Sequence, residues 1–335
     1  MNINEQKIEL LNNVINEKSI FTLIVHANPD GDTMGSATAL YTILKNKGKE
    51  VKIVSPTDCP EYLQWLSGAE NMVYFLKNQK ETEALLNTTE VILCLDFNST
   101  KRTEKLKPLL DESKAYKIMI DHHPSPEYFA NLSFSQPEAC ATAELLYFIL
   151  VQMGYELQIN KEVATSLYTG IVTDTGCFSY GHLSPQTYRI VADLKEKGIC
   201  IETIHSNIFN TYTANRLRLL GEILCNNLVI FEDIGVAYLY ITLEQQKKYS
   251  FSQGDSEGFV NYPFSIKGIR LCALITEKED IIKTSFRSKG DISVNDFSKK
   301  YFNGGGHTNA AGGRINGKLT DILKYFEKCV YEFLS

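Results

Sequence analysis

Phe21-Thr-Leu-Ile-Val-His-Ala-Asn-Pro-Asp-Gly-Asp-Thr-Met-Gly-Ser36 is a short apolar run that stops abruptly on His26, Asp30 and Asp32. Small residues follow, and then a helical pattern. An imidazole and two carboxylates bundled at the end of a buried strand are electrostatically costly unless a cation holds them together. The design returns in Ile118-Met-Ile-Asp-His-His123, an apolar strand ending on Asp121, His122 and His123. Between the two, Val91-Ile-Leu-Cys-Leu-Asp96 also closes on a carboxylate, and Thr169-Gly-Ile-Val-Thr-Asp174 adds an acid before Thr175-Gly176. With His307 included, four of the six histidines fall in such motifs, which sets the clustering apart from chance.

At 335 residues the chain exceeds the usual size of one domain. A composition of 44% hydrophobic and 22% charged residues leaves ample material for a core. No apolar run approaches the roughly 18 residues that span a bilayer. The polar, helix-forming start Met1–Leu10 has no signal-peptide apolar region. The expected compartment is therefore the cytoplasm, with no membrane partner. Eight scattered cysteines without a Cys-x-x-Cys pair argue against structural zinc and against a disulfide framework. A net charge of −6 speaks against a large basic nucleic-acid groove. It leaves room for a small polyanion held by metal ions and a few local cations.

Strand and helix patterns alternate from residue 20 to about 125. After a first helix over 5–18, the runs Ile20–His26, Val51–Val54, Val91–Asp96 and Lys117–Asp121 read as strands, and Gly35–Lys47 and Glu61–Leu66 as helices. Alternation of this kind predicts βαβ units and a parallel sheet, whose ligand sites lie beyond the carboxyl ends of the strands. Helices follow over Ala141–Met153, Lys161–Thr173 and Ser184–Lys197, the last with Ser184-Pro185 as cap and first turn and Gly198 as stop. Beyond Gly198 the texture changes. Ile201–Asn227 reads as a helical connection, and Leu228–Thr242, Leu271–Thr276 and Ile281–Ser288 as strands, the last two a hairpin around Glu277-Lys-Glu-Asp280. Leu319, Ile322, Leu323, Phe326, Val330 and Phe333 repeat at the spacing of a core-facing helix. The expected architecture is α/β: a mostly parallel sheet flanked by helices over 1–200, a helical linker over 201–227, and a smaller α/β domain over 228–335. The active site is expected in the cleft between the domains.

His26, Asp30, Asp32, Asp96, His122 and Asp174 offer six nitrogen and oxygen ligands without a thiolate. Such a set suits manganese, magnesium or cobalt better than zinc, and the imidazoles tilt it toward manganese. Four aspartates bring four negative charges and two divalent ions bring four positive ones, so a two-metal site is neutral. Two ions about 3.5–4 Å apart stabilise both the attacking and the leaving oxygen of a phosphoryl displacement. Asp30-Gly31-Asp32 reads as a tight turn whose carboxylates address adjacent ions. Taken singly, an Asp-Gly-Asp is a turn, a His-His a surface or capping pair, and Asp96 a helix cap. Their joint order along a βαβ pattern tells against that reading.

On these motifs the chain resembles the DHH phosphoesterase family, named for the triplet that here is Asp121-His122-His123, and in particular its bacterial nano-RNase and oligoribonuclease branch. The family's four motifs match His26–Ser36, Leu93–Asp96, Asp121–His123 and Thr173–Gly176. The C-terminal half is similar to the DHH-associated domain through Phe286-Arg287-Ser288 and Gly304-Gly-Gly-His307, so the resemblance spans essentially the whole chain. It implies one metal on His26, Asp30 and Asp96 and a second on Asp32, Asp96, His122 and Asp174, with Asp96 bridging. It implies that Asp121 orients a histidine through its ring N–H. His123 then hydrogen-bonds the phosphate or protonates the leaving oxygen, a purely structural imidazole being the alternative.

In the second domain Asn303-Gly-Gly-Gly-His-Thr-Asn-Ala-Ala-Gly-Gly313 follows a helical pattern over Val294–Tyr301. Three successive glycines let backbone N–H groups approach a phosphate, against the plainer reading of a helix cap and a turn. His307 directly after them, and Arg287 near a strand end, favour an anion. The expected substrate contacts are Gly304, Gly305, Gly306, His307 and Arg287, with Ser288 from the shared motif. Where many relatives carry a fourth glycine, this chain has Asn303.

The resemblance implies hydrolysis of short single-stranded oligoribonucleotides, and of the nucleoside bisphosphate 3′-phosphoadenosine 5′-phosphate, by water activated on two metal ions. A stable long nucleic-acid partner is not expected, and a homodimer stays open. The runner-up enzyme is an exopolyphosphatase or inorganic pyrophosphatase. The runner-up from another class is a non-catalytic nucleotide sensor, against which stands the presence of every ligand acid.

Overall fold

Six apolar runs of the N-terminal half pair as one parallel sheet in the computed structural model, which describes residues 3–252 and 254–335. They are β1 (Ile20–Ile24), β2 (Glu50–Ser55), β3 (Met72–Tyr74), β4 (Val91–Leu95), β5 (Tyr116–Asp121) and β6 (Leu132–Ser135), in the order β3-β2-β1-β4-β5-β6. The order reverses between β1 and β4, the place where doubly wound sheets open a ligand crevice. Helices α1 (Glu5–Glu17), α2 (Gly31–Asn46), α3 (Gln79–Thr88), α4 (Lys107–Glu112), α5 (Thr142–Gln152), α6 (Lys161–Asp174), α7 (Pro185–Glu196) and α8 (Ile201–Phe209) cover its faces. Alternation along each strand divides the core in two. Leu23, Val91, Leu93, Leu95, Ile118 and Ile120 pack toward α1, α2 and α5 to α8, whereas Ile24, Ile92, Cys94 and Met119 pack toward α3 and α4.

Helix α2 begins at Gly31, ahead of the Gly35 start that periodicity predicts. Asp30 caps it: its Oδ1 accepts from the amides of Asp32 and Thr33, each at 3.1 Å. Asp30-Gly31-Asp32 is thus a cap and a first turn instead of a free tight turn. The expected helix over Glu61–Leu66 shrinks to a 3₁₀ turn at Glu61–Leu63, cut short by a reversal that puts Gly68 at φ 96°. Elements β3, β6, α3 and α4 are short or weakly periodic, and the sequence reading passes over them.

The chain divides into two units, residues 1–211 and 212–335. Helix α8 closes the first, and α9 (Ala214–Asn226) opens the second. There β7 (Leu228–Phe231), β8 (Val236–Ile241), β9 (Leu271–Glu277), β10 (Ile282–Ser288), β11 (Gly305–His307) and β12 (Ala310–Ile315) form a mixed sheet in the order β11-β12-β10-β9-β8-β7. Leu228–Thr242, read as one strand, is the antiparallel pair β7 and β8, turned at Gly235 with φ 67°. Helices α10 (Leu243–Lys248), α11 (Val294–Tyr301) and α12 (Leu319–Leu334) complete the unit. One sheet face buries Phe286 against Phe297, Phe302 and Phe326, with the Phe286 and Phe297 rings edge to face at 5.2 Å. On the other face, α9 and Phe259 cover Leu239, Cys272 and Leu274. Among the described residues no helix is long and apolar enough to cross a membrane.

In the first unit α2 packs directly on α6 because glycines let their backbones meet. A Cβ on Gly35 would lie 2.4 Å from the Ser166 carbonyl oxygen and 2.7 Å from the Gly170 nitrogen. Thr38 then donates to Ser166 Oγ at 2.9 Å. Gly35→Ala should therefore destabilise the chain by about 1–3 kcal/mol through overpacking against backbone that cannot step aside. Urea unfolding measures it, and a variant as stable as the parent would show that the helix crossing is slack.

Candidate metal centre

Three strand ends and two helix ends converge on the reversal point of the parallel sheet. His26 lies just beyond β1, Asp96 just beyond β4, and Asp121, His122 and His123 at the end of β5. Asp32 sits in the first turn of α2, and Asp174 is the last residue of α6. The glycine crossing of those two helices brings the last pair together. Asp96 leaves β4 with φ 62°, a left-handed conformation uncommon outside glycine, which turns its carboxylate back over the strand ends.

Asp96 is at the middle of the site. It is 2% exposed, and its two oxygens face different ways. Oδ2 lies 3.4 Å from His26 Nε2 and accepts from Thr33 Oγ1 at 2.5 Å. Oδ1 lies 3.8 Å from His122 Nε2 and accepts from Thr142 Oγ1 at 2.8 Å. On the first side Asp30 Oδ2 is 3.7 Å from His26 Nε2; on the second, Asp32 Oδ2 and Asp174 Oδ2 are 3.7 and 3.4 Å from His122 Nε2. The two groups His26–Asp30–Asp96 and Asp32–His122–Asp174 each gather their donor atoms within 4.8 Å of one another.

Both histidines present the same nitrogen inward. Nδ1 of His26 meets the Ala27 carbonyl at 2.9 Å, and Nδ1 of His122 meets the Ala139 carbonyl at 3.1 Å. A backbone carbonyl can only accept, so each ring carries a proton on Nδ1 and turns Nε2 toward the carboxylates. His26 Nε2 is buried without a hydrogen-bond partner. A bare Nε2 would set a lone pair against carboxylate oxygens, so the place between them calls for a cation: a proton in the metal-free protein, or a metal ion, which these residues fit.

The carboxylates are braced by backbone. Asp32 accepts from the amides of Thr142 at 2.6 Å and Ala143 at 2.9 Å, acting as the N-terminal cap that Ala141 cannot provide for α5. Burial, then the charges of Asp96, Asp174 and Asp30, push the Asp32 carboxyl well above the usual range. Burial also works against ionisation of Asp96, but the His26 hydrogen bond and the nearby imidazoles hold it well below that range. For His26, burial and the Arg102 charge act downward, yet the hydrogen bonds to Asp30 and Asp96 outweigh them and set its pKa at about 9.

Asp121 is fully buried, and burial with the Asp96 charge lifts its carboxyl to about 7. It holds His123, meeting Nδ1 at 2.8 Å and accepting the His123 amide at 3.1 Å. The other His123 nitrogen, Nε2, receives the Arg102 guanidinium at 2.6 Å. Sequence reasoning missed Arg102, Thr33 and Thr142. Arg102 belongs to an irregular 3₁₀ segment, Thr100–Leu106, docked through its carbonyl on the Ala27 amide at 2.8 Å, and no periodicity marks it.

In the second unit the glycine run forms a hairpin edge, not an open amide cradle. β11 pairs with β12, and a Cβ on Gly304 would lie 1.9 Å from the Gly312 carbonyl oxygen. The Gly304 amide donates to the Ser298 carbonyl at 3.2 Å and that of Gly306 to Asn295 Oδ1 at 3.0 Å. Two of the amides expected to face a phosphate are thus used inside the unit. Ser288 is also committed, donating to the Ile292 carbonyl at 2.6 Å and accepting from Asn309 at 2.9 Å. Arg287 and His307 each oppose Ala310, so all three share a rung and a face of the sheet. With strands about 4.8 Å apart, the Arg287 and His307 side chains start roughly 10 Å from one another. The next rung on that face is Ser285, Gly312 and Gly305, a floor almost bare of side chains.

A doubly wound sheet carrying such donors at its reversal point could hold metal ions. The DHH family, N-terminal domain, matches residues 21–171, and the DHHA1 domain matches residues 233–332; the chain belongs to the DHH family. A solved structure of an exopolyphosphatase-related protein from Bacteroides fragilis is 36% identical, with TM-score 0.94 over 99% of this chain and 97% of its own. The bifunctional oligoribonuclease and PAP phosphatase NrnA of Thermus thermophilus is 28% identical over 306 residues, covering 91% of this chain and 86% of that protein. The protein of the same name from Bacillus subtilis is 27% identical over 316 residues, covering 92% and 93%.

A cation entering this site must displace protons. His26 keeps its proton up to about pH 9 in place of the ordinary 6.5, so metal affinity should climb as pH rises through that window. In the metal-free protein the same shift contributes stability that is complete below pH 6.5 and lost as pH rises through about 9. Titration calorimetry in buffers of different ionisation heat should record proton release on manganese binding. Affinity that stays flat across the window, with no protons released, would contradict this charge arrangement.

Proposed function

We propose that the chain hydrolyses short oligoribonucleotides and 3′-phosphoadenosine 5′-phosphate to mononucleotides, using two divalent ions, manganese ahead of magnesium or cobalt. The observation that carries the two-ion reading is Asp96, whose oxygens face two separate donor groups. The names of the Thermus and Bacillus relatives support the substrate class. We assign catalysis to residues 1–200, a linking role to 201–227, and substrate holding to 228–335.

His26, Asp30 and Asp96 would hold one ion, and Asp32, Asp96, His122 and Asp174 the other. Bound there, the ions supply Lewis-acid activation of water and neutralise charge developing at phosphorus. The chain's own groups orient the phosphate and manage the proton. Arg102 is always charged and carries a fork that suits a non-bridging phosphate oxygen. In the resting site it covers His123 Nε2, the nitrogen that proton delivery to a leaving oxygen requires. A phosphate that draws the guanidinium onto itself uncovers that nitrogen, so His123 takes up its proton with substrate in place. Asp121, fixed at Nδ1, stabilises the imidazolium that forms. Arg287 and His307 would take a terminal phosphate, with the bare rung beside them admitting the ribose backbone.

A panel of di- to pentanucleotides, 3′-phosphoadenosine 5′-phosphate and polyphosphate, assayed with manganese and with magnesium, tests the substrate class. Likeness to the exopolyphosphatase-related protein from Bacteroides fragilis favours a second reading, an exopolyphosphatase. Orthophosphate released from polyphosphate, with dinucleotides untouched, would establish that reading instead.

His123→Ala should keep its metal and lose about 100-fold or more in rate, the scale of a general acid. Arg102→Ala should also keep its metal and lose about 10- to 150-fold, the scale of one charge-assisted contact. His122→Ala should lose affinity for one ion. Metal analysis beside steady-state rates separates the three, and equal metal loss in all would undo the division of roles.

Arg287→Ala should lower kcat/KM on dinucleotides about 10- to 150-fold with metal content unchanged. A small ester such as bis-p-nitrophenyl phosphate should be much less affected. Equal losses on both substrates would place Arg287 in the catalytic core or the fold.

A further inference from the structure

Directly after Asp174 the chain makes an unusual turn. Gly176, Cys177 and Phe178 follow one another at φ 52°, 56° and 62°, so three successive residues are left-handed and two of them carry side chains. Left-handed non-glycine residues persist only where surrounding structure fixes them. Here Thr175 does so. Buried, it donates to the Ile171 carbonyl at 2.6 Å and accepts the Phe178 amide at 3.1 Å, and its carbonyl accepts the amides of Ser179 and Tyr180 at 2.9 and 3.0 Å. The turn folds Tyr180 back onto the end of α6. A Cβ on Gly176 would lie 2.6 Å from the Tyr180 ring.

The result is a group of aromatic side chains beginning shortly beyond Asp174, two of them exposed. Tyr180 is 40% exposed and Tyr188, from the first turn of α7, is 51% exposed. Between the turn and α7, Phe178 packs 5.8 Å from Tyr188 and 6.4 Å from buried Tyr168, which anchors Phe178 and Tyr188 to the core. Virtual bonds of about 3.8 Å keep the Gly176 backbone within roughly 8 Å of that of Asp174. The Tyr180 ring, packed on Gly176, therefore belongs to the turn that leaves the candidate metal centre. Exposed rings held by a fixed turn that follows directly on a carboxylate that would handle a phosphate match a ligand that carries a phosphate and a flat ring together.

We infer that Tyr180, on the fixed turn after Asp174, is a stacking platform for the base of a nucleotide substrate, with exposed Tyr188 as a further ring of the same segment. The platform rests on the proposed phosphoester chemistry only for the position of the phosphate. It adds the feature that would separate nucleotides from polyphosphate, which has no base to stack. Stacking tolerates any base, so the platform selects for a nucleotide without selecting its sequence.

Two measurements on the full chain with manganese test it. The first is the ratio of kcat/KM for a dinucleotide to that for its analogue with one abasic ribose. Tyr180→Ala should lower that ratio by about 5- to 100-fold through KM, and Tyr180→Phe should restore it. The second needs no turnover. In Tyr180→Trp, AMP should quench the new indole fluorescence and ribose 5-phosphate should not, with Trp65 in the parent chain as the background. An unmodified chain that cleaves no nucleotide would sink the proposed function, while quenching by AMP alone would still uphold the platform. Quenching equal for AMP and ribose 5-phosphate, or an unchanged ratio in Tyr180→Ala, overturns it.

Discussion

Burial of the Asp96 carboxylate is the constraint from which the rest of the first unit follows. A carboxylate so far from water is tolerated only if opposite charge or donors surround it. The chain supplies hydroxyls from Thr33 and Thr142 and imidazoles from His26, His122 and His123. These come from separate segments: a helix start, the start of another helix, and two strand ends. Satisfying one acid therefore fixes the mutual position of β1, α2, β4, β5 and α5. Neutral imidazoles would not satisfy the same acid, because Nε2 of His26 and of His122 faces it and calls for a proton or a metal ion there. What folding leaves unfinished is a place for cations.

Helix ends supply the second level of control. Asp30 caps α2 from within the chain, whereas Asp32 caps α5 from a separate helix. Both carboxylates are thus aimed by backbone amides, whose directions are set by the helices and not by side-chain rotamers. Asp174 has a looser hold, at the last turn of α6 and partly exposed. Its position depends on the glycine crossing, where Gly31 and Gly35 of α2 meet Thr173 and the backbone of α6. Three routes thus set three carboxylates: a local cap, a distant cap and a helix crossing.

The strands that carry the site were legible in the sequence because each apolar run ends on an acid or a histidine, and pattern and chemistry change at the same residue. Helix α12 was legible because its apolar positions recur without a competing breaker. Asp30 was harder to place, since an Asp-Gly-Asp turn and a capped helix start have the same local composition; only contact between α2 and α6 decides for the helix. Arg102 and Thr142 were hidden for a different reason. Neither has a spacing that means anything locally, and both gain a role only when a distant strand end arrives. The glycine run at 304–306 was read as an amide cradle, yet two of its amides are bonded internally, because close pairing with β12 competes for the same freedom from side chains.

Arg102 also alters the charge balance that the sequence suggests. Four ligand carboxylates against two divalent ions is neutral on paper, but that leaves out Asp121, fully buried behind His123. With the two ions proposed above, five carboxylates face four positive charges. Arg102 supplies the fifth through the His123 ring, Asp121 meeting one nitrogen and the guanidinium the other. The imidazole is then a conductor between a buried anion and a cation, and it stays neutral while both are in place. In the reaction proposed above, a substrate phosphate would bring negative charge of its own. It would compete with His123 for Arg102 and leave Asp121 facing an imidazole with no cation at its far side. Protonating that imidazole would be the nearest way to restore balance, so on this proposal the charge of the substrate itself would set the proton in position.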